Sequence, residues 1–356
     1  MHSTARRARK GLAAGCGAAA ALSLTLAAPA QAAPPQAEPT VVGDLAYGPA
    51  TPGNLLDLHL PDARGGRDGL PLVIWHSGSA WLSNDVKTGE QALDVVEEFT
   101  GRGYAVAAIN VRSSFDARFP AQGHDVRAAV RYLRENAGRY GLDPDRFAFM
   151  GNSSGGWSAA FAATTSDVLE LPGETGVDGT SSAVQVAVPF FPPTDFLSMD
   201  TFAAENDLPM QEGIYPHDAP DSPESRLIEC PGEVFPTELV SIQACPAATE
   251  AADPSSYIEG EEIPIWVLHG LADPLLPFNQ SQLVYDTTTA AGNEARFTLV
   301  PGAGHSVDDI IEAPVSTTWM TNHVGAERVV NRAGPSWYDI DRFLQSGFAR
   351  AERAAR

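Results

Sequence analysis

The sequence is poor in positive charge and in cysteine, and it lacks the common metal-binding patterns. Its 356 residues contain 23 Lys and Arg against 45 Asp and Glu, for a formal net charge of −22, and only three Cys. A chain this acidic has no basic field with which to hold nucleic acid, so we expect no nucleic-acid partner. The eight histidines are scattered, no His-Glu-x-x-His motif occurs, and no cysteine pair has zinc spacing. The sequence therefore predicts no metal site.

The first 32 residues have the composition of a secretory signal peptide. Four basic residues stand among the first ten, an Ala/Leu-rich stretch follows at 11–28, and Ala30-Gln31-Ala32 forms a small-x-small cleavage pattern. We predict cleavage near Ala32 and secretion of the remaining chain, with no stable membrane anchor. Two alternatives stay open from the sequence, an uncleaved membrane anchor and a lipoprotein cut before Cys16.

Cleavage would change both the charge and the cysteine count. Four basic residues and no acidic residue would leave with the peptide, so the formal charge falls from −22 to −26. Such a surface should repel anionic partners. Cys230 and Cys245 would be the remaining cysteines, and in an oxidising compartment we expect them to form a disulfide. The alternative is a pair of buried thiols.

Short apolar runs alternate with amphipathic helical patterns along the chain. The runs lie at residues 55–60, 70–76, 104–110, 146–150, 184–191, 264–269 and 296–300. Several are continuously apolar, as is typical of parallel strands buried on both faces. The clearest helical pattern covers residues 121–140 and ends at Gly141. The alternation predicts an α/β fold with a doubly wound, mostly parallel sheet.

The alternation of strands and helices breaks between residues 196 and 258. This stretch is rich in proline and acidic residues, contains Cys230 and Cys245, and has no clear strand pattern. We interpret it as an insertion that covers the sheet. The predicted organisation is therefore a signal peptide at 1–32 and one domain at 33–356 that carries a cap at about 196–258.

A strand that runs into a Gly-x-Ser-x-Gly motif carries the first candidate for chemistry. The apolar run at 146–150 leads into Gly151-Asn152-Ser153-Ser154-Gly155, and small residues of helical character follow. Glycines two positions before and after the serine permit a sharp strand-to-helix turn that lifts the hydroxyl above the sheet. The N-terminus of the helix also favours developing negative charge. We predict Ser153 as a nucleophile.

A nucleophilic serine needs a base and an orienting acid, which in this topology follow it in the order acid, then histidine. Asp273 and His305 each come shortly after a predicted strand, and the carboxyl ends of such strands gather at one edge of the sheet. We predict Asp273 as the acid and His305 as the base. Asp195 competes as the acid because it also follows a predicted strand. His269 ends its strand and is expected to support the Asp273 loop.

Stabilisation of a tetrahedral oxyanion requires backbone amides that point at one oxygen. The predicted strand at 70–76 is followed by the small residues Ser77-Gly78-Ser79-Ala80, whose amides can serve this role. We expect the amide of Ser154 to contribute one hydrogen bond, and the amide of Ser79 or Ala80 to contribute the second.

These residues resemble the α/β-hydrolase serine esterases and lipases, in particular the feruloyl-esterase-like and acetyl-xylan-esterase-like bacterial esterases. Besides the Ser, Asp and His motifs, the resemblance lies in residues 78–81 (Gly-Ser-Ala-Trp), 110–114 (Asn-Val-Arg-Ser-Ser), 119–122 (Phe-Pro-Ala-Gln), 125–133 and the cap-like 221–228. The familiar His-Gly-Gly-Gly-Trp string is absent, with Ser77 in the place of its histidine. The stretch 306–335 is also longer than expected.

The resemblance implies hydrolysis of carboxylic esters through an acyl-enzyme, without a metal or an organic cofactor. The substrate would be an ester on a small molecule or on a polymer. A serine peptidase of the prolyl-oligopeptidase type would use the same triad, but it normally has a large extra domain for which residues 33–356 leave little room. A catalytically inactive binding protein with this fold is the second alternative, and the presence of all three triad residue types disfavours it.

Overall fold

The computed structural model describes residues 39–62, 69–166, 176, 179–208, 216–230, 239–259, 263–322 and 324–356. The predicted signal peptide, residues 1–32, lies outside the described residues. Within those ranges, no helix has both the length and the apolar character that crossing a bilayer requires.

One sheet organises the described part of the chain. Its strands are β1 (Thr40–Ala46), β2 (Leu55–Leu60), β3 (Leu70–His76), β4 (Ala105–Ile109), β5 (Leu142–Asn152), β6 (Val186–Phe190), β7 (Ile265–Gly270), β8 (Ala295–Val300), β9 (Ser316–Thr321) and β10 (Glu327–Arg332). The order across the sheet is β1-β2-β4-β3-β5-β6-β7-β8-β9-β10. The strands from β4 to β8 pair in parallel, and antiparallel pairs extend the sheet at both ends.

Helices connect the strands. They are α1 (Glu90–Gly101), α2 (Ala121–Glu135), α3 (Ala137–Tyr140), α4 (Ser154–Thr164), α5 (Met199–Glu205), α6 (Pro223–Ile228), α7 (Pro246–Glu250), α8 (Asn279–Ala290), α9 (Val307–Ile310) and α10 (Trp337–Ala354). Short 3₁₀ turns occur at Phe196–Ser198, Ile242–Ala244 and Pro254–Tyr257.

The central strands are apolar without alternation because helices cover both faces of the sheet. In β3, Leu72 and Ile74 belong to the apolar cluster that contains residues of α2 and α4. Their neighbours Val73 and Trp75 face the other way, into the cluster that contains residues of α1 and α10. Successive side chains of a strand point to opposite faces, so both sets must be apolar. The predicted α/β fold with a mostly parallel sheet is confirmed.

The helix expected at 121–140 is two helices in the structure. α2 ends at Glu135, and α3 begins at Ala137. Asn136 occupies the junction, where its side-chain amide donates a hydrogen bond to the Tyr132 carbonyl oxygen at 2.8 Å. The Asn136 backbone amide donates to the same oxygen at 3.1 Å, so α2 ends at a residue type that favours helix ends over helix interiors. Gly141 then ends α3 in a left-handed conformation, at φ 71°.

Three strands have no counterpart among the expected apolar runs. They are β1 at one end of the sheet and the neighbouring β9 and β10 at the other. All residues of β10 except Val330 are exposed, so it carries no buried apolar pattern that a sequence reading could detect. The β9–β10 hairpin accounts for the unusual length of residues 306–335, because it inserts two strands between β8 and α10.

The stretch at 196–258 contains short helices and 3₁₀ turns, and its described residues include no strand. Its apolar residues Phe196 and Leu227 join the same cluster as Trp81 and Trp157. The indole nitrogen of Trp157, in α4, donates a hydrogen bond to the Ala252 carbonyl oxygen at 2.7 Å. Cys230 and Cys245 are bonded through their sulfur atoms, with Cα atoms 5.6 Å apart. The insertion therefore packs against α4 and the loop after β3.

Candidate active site

Ser153 sits at the turn between β5 and α4 in a conformation that few residues adopt. Its backbone has φ 56° and ψ −126°, and α4 begins at the next residue. The flanking glycines are required by close packing: a Cβ on Gly151 would lie 2.3 Å from the Gly155 carbonyl oxygen, and one on Gly155 would lie 1.9 Å from the His76 carbonyl oxygen. A positive φ at a non-glycine residue costs of the order of 1–3 kcal/mol and persists where the surroundings hold it. The motif thus forms the strained turn that the sequence predicts.

The loop after β3 lies directly against Ser153. A Cβ on Gly78 would come within 2.6 Å of the Ser153 Cβ and 3.3 Å of its Oγ. Two hydrogen bonds tie this loop to the turn: the Gly78 amide donates to Asn152 Oδ1 at 3.1 Å, and the Ser79 amide donates to Ser154 Oγ at 2.9 Å. The predicted oxyanion loop and the predicted nucleophile are therefore brought together.

These hydrogen bonds bear on which amides can bind an oxyanion. The Ser79 amide already has an acceptor in the Ser154 hydroxyl. The Ala80 amide, by contrast, has no acceptor in the described part of the chain, and Ala80 has a positive φ of 52°. Ser154 is the first residue of α4, where an amide has no partner within the helix. Ala80 and Ser154 are thus better placed than Ser79 to donate to a ligand.

Asp273 and His305 meet at the carboxyl ends of β7 and β8. The His305 Nδ1 atom lies 2.7 Å from Asp273 Oδ2. The second carboxylate oxygen, Oδ1, accepts hydrogen bonds from the amides of Leu275 at 2.8 Å and Leu276 at 3.0 Å. Asp273 is almost fully buried, and burial alone would raise its pKa, but hydrogen bonds from His269 and His305 lower the pKa below the usual carboxyl range. Asp273 is therefore an anion in contact with the His305 ring.

His305 is the more accessible member of this pair. Its side chain is 16% exposed, against 1% for Asp273. The His305 ring packs against Phe191, with ring centroids 4.4 Å apart. Because Nδ1 is engaged by Asp273, Nε2 is the ring nitrogen that is available to exchange a proton with a hydroxyl.

Asp195, the competing acid, has a different role. Its Oδ1 accepts a hydrogen bond from the Ser198 amide at 3.3 Å and caps the 3₁₀ turn that starts the insertion. Gln280 holds the same segment, donating to the Asp195 carbonyl oxygen and accepting from its amide. Of the two aspartates, it is Asp273 that contacts His305.

A model of the BD-FAE family matches residues 56–287. The chain belongs to the BD-FAE family. Esterase LipQ of Mycobacterium tuberculosis is 32% identical to it over 267 residues, which cover 74% of this chain and 57% of LipQ. The chain spans about half to two thirds of the length of the curated relatives it matches first.

Solved structures support the same fold for this BD-FAE chain. A truncated form of a carbohydrate esterase from gut microbiota has 30% sequence identity and a TM-score of 0.65, covering 76% of this chain and 91% of that one. The propionate-bound esterase Est2 of Thermogutta terrifontis has 23% identity and a TM-score of 0.55, covering 77% of this chain and 86% of that one. The second similarity supports the fold alone.

The sequence analysis did not predict the contacts of two residues at this candidate site of the BD-FAE chain. Asn152 holds the loop after β3 through the Gly78 amide, although its place as a variable residue of the motif gives no signal of this contact. His76 lies beneath the turn, where its Nδ1 is 2.8 Å from the Ser158 hydroxyl, and burial lowers its pKa to about 3. His76 is therefore neutral and structural at ordinary pH.

Over the described ranges, no cluster of His, Cys, Asp and Glu has the arrangement of a metal site.

Proposed function

We propose that this chain is a serine carboxylic ester hydrolase, with Ser153 as nucleophile, His305 as base and Asp273 as orienting acid. The observation that carries the proposal is the 2.7 Å contact between His305 Nδ1 and Asp273 Oδ2. It lies at the ends of β7 and β8, which β6 separates from the strand that carries the strained Ser153 turn. Membership of the BD-FAE family and the similarity to Esterase LipQ support this chemistry.

The proposed mechanism uses the chain's own groups at each step. His305 Nε2 removes the proton of Ser153 as its oxygen attacks the ester carbonyl, and Asp273 stabilises the resulting imidazolium. The amides of Ala80 and Ser154 bind the oxyanion of the tetrahedral intermediate. The imidazolium then protonates the departing alcohol, which leaves an acyl group on Ser153. Water attacks this acyl group while His305 accepts its proton, and the imidazolium returns a proton to the Ser153 oxygen as the acid departs.

The substrate we propose is a neutral ester on a small molecule or a carbohydrate polymer. The net charge of −22 disfavours anionic substrates. The similarity to a carbohydrate esterase of gut microbiota supports an acylated carbohydrate.

Secretion with cleavage near Ala32 belongs to the same proposal, and the bonded Cys230–Cys245 pair is compatible with an oxidising compartment. We also propose that residues 196–258 act as a cap over one catalytic domain.

An ester panel tests the proposal. Initial rates would be measured on p-nitrophenyl esters of increasing acyl length, on a feruloyl ester and on an acetylated xylan, with Ser153→Ala as the inactive control. We expect turnover of at least one ester and its loss in the variant. Intact mass after treatment with a fluorophosphonate should show one adduct, which Ser153→Ala lacks.

The same assays discriminate the rival functions. Turnover of aminoacyl anilides without turnover of the short esters would point to a peptidase. Absence of both turnover and the Ser153 adduct in a folded protein would point to a binding protein and would overturn the proposal.

A further inference from the structure

A second histidine contacts the carboxylate of Asp273. His269 ends β7, its side chain is fully buried, and its Nε2 lies 3.3 Å from Asp273 Oδ2. Oδ2 is the same oxygen that contacts His305. The His269 Nε2 is also 3.1 Å from the Leu276 carbonyl oxygen, while its Nδ1 is 2.7 Å from the Ser281 hydroxyl in α8.

The partners of His269 determine which ring nitrogen carries the proton. A carboxylate oxygen and a carbonyl oxygen can only accept hydrogen bonds, so Nε2 must be the donor to Asp273 and Leu276. In the neutral ring Nδ1 is then an acceptor, and the Ser281 hydroxyl donates to it. Ser281 thereby holds His269 in the tautomer whose Nε2–H faces Leu276 and Asp273.

With His269 included, both oxygens of Asp273 are held. Oδ1 accepts from the amides of Leu275 and Leu276, while Oδ2 lies 2.7 Å from His305 Nδ1 and 3.3 Å from His269 Nε2. A carboxylate held at Oδ1 alone could still tilt its second oxygen away from His305. A carboxylate that shares Oδ2 between two imidazoles is also a weaker acceptor toward each of them.

We propose that His269 is a positioning residue of the active site, which fixes Asp273 Oδ2 for His305 and moderates the basicity that Asp273 confers on it. The inference rests on the proposed function, because it assigns His269 an effect through Asp273. The role is distinct from packing, since it depends on the Nε2–H group that faces Asp273 Oδ2 and the Leu276 carbonyl oxygen.

The test compares His269→Leu, His269→Gln and Ser281→Ala on the best ester of the panel. Leucine removes the donor, whereas the glutamine amide can place an N–H near the position of Nε2. We expect His269→Leu to lower kcat by about 10- to 100-fold, the range for a hydrogen bond to a charged group, with little change in KM. Ser281→Ala should lower kcat by about 2- to 10-fold. His269→Gln should recover most of the loss.

The pH profile of kcat/KM separates positioning from packing. Without His269, Oδ2 interacts with His305 alone and stabilises its imidazolium more strongly. The acid limb of the profile should therefore move to higher pH in His269→Leu, and by a smaller amount in Ser281→Ala. In His269→Gln it should lie close to its position in the original protein. A loss of packing alone would leave the limb in place. His59→Gln, a buried histidine of β2 at the far side of the sheet, is the matched control and should change neither kcat nor the profile.

Each outcome decides the inference. A folded His269→Leu variant with unchanged kcat and an unchanged acid limb of the pH profile would overturn the positioning role. Equal losses of kcat in His269→Leu and His269→Gln, with no shift of the acid limb, would also overturn it. If His269→Leu does not fold, Ser281→Ala and His269→Gln decide it, and an unshifted limb in Ser281→Ala overturns it. The proposed function is tested separately by Ser153→Ala and Asp273→Asn: activity that survives these changes would refute the triad itself.

Discussion

Two histidine–carboxylate pairs lie in different regions of this molecule, one at the carboxyl edge of the sheet and one in the insertion at 196–258. His305 has Nδ1 2.7 Å from Asp273, and its ring packs against Phe191, the neighbour of Phe190, whose carbonyl oxygen accepts a hydrogen bond from the Ser153 amide. His217 has Nδ1 3.2 Å from Glu224, and its Nε2 is 3.0 Å from the Leu275 carbonyl oxygen. Both nitrogens of His217 therefore face acceptors, whereas His305 retains one nitrogen for a substrate.

The difference bears on why His305, and not His217, is the proposed base. A base needs one ring nitrogen oriented by an acceptor and one left to exchange a proton. His217 cannot fill this role, because both of its nitrogens are occupied and its side chain is only 2% exposed. It instead attaches the insertion to Leu275, a residue whose amide holds Asp273. The two pairs are thus connected through one residue of the acid loop.

The largest expected effect separates the two pairs directly. His305→Gln and Asp273→Asn should each lower kcat by a factor of the order of 10⁴, because the serine loses its base or the base loses its orientation. His217→Gln should leave kcat within about tenfold of the original protein. Steady-state kinetics with circular dichroism as a check on folding measure this. Equal losses in the His217 and His305 variants would remove the distinction drawn above.

A smaller effect is expected from the loop that adjoins the sheet-edge pair. In Gly78→Ala the new methyl group would lie 2.6 Å from both the Asn152 carbonyl oxygen and the Ser153 Cβ, so the loop and its amides must shift. We expect kcat/KM to fall by about 10²- to 10³-fold, as on loss of one oxyanion donor, and fluorophosphonate labelling of Ser153 to slow. Gly138→Ala, in α3, meets no atom within 4 Å and is the control. Unchanged labelling in Gly78→Ala would contradict the described contact.

The insertion should depend on its disulfide more than the sheet does. Reduction of Cys230–Cys245, or replacement of both residues by serine, should lower the free energy of unfolding by about 3 kcal/mol, the chain-entropy value for a loop of this length. Chemical denaturation measures the loss, and the ester assay should fall with it as the insertion loosens. If neither stability nor activity changes on reduction, the disulfide has no structural role.

The smallest effect is a pH dependence of stability that arises from the insertion. Burial alone would lower the pKa of His217, but the charge and hydrogen bond of Glu224, with the nearby Asp200, raise it above the ordinary histidine value. A raised pKa in the folded state means that this stabilisation is complete below about pH 6.5 and is lost as pH rises through the raised value. Thermal unfolding from about pH 6 to about pH 9 should show the loss in the original protein. A loss that persists unchanged in His217→Gln would have another source.

Most of the site could be predicted from local patterns. The turn at Ser153 is encoded within five residues, and Asp273 and His305 each follow an apolar strand whose end lies at a known edge of a parallel sheet. Buried strands produce uninterrupted apolar runs, which are the strongest signal that a single sequence contains. β10 has almost no buried residue, so its hairpin with β9 left no such signal. The break at Asn136 was not predicted, because the apolar spacing of the sequence continues past it.

The sequence by itself determined the alternation of strands and helices from β2 to β8, the Gly-x-Ser-x-Gly turn and the residue types of the proposed triad, because each depends on neighbours along the chain. Only the tertiary structure decided which aspartate contacts His305. It also decided that the Ser79 amide has an acceptor whereas the Ala80 amide has none among the described residues, and that His269 and His217 both contact the Asp273 loop. These contacts join residues from different strands and from the insertion. These hydrogen bonds form only when the sheet and the insertion are packed together, so a local sequence pattern cannot predict them.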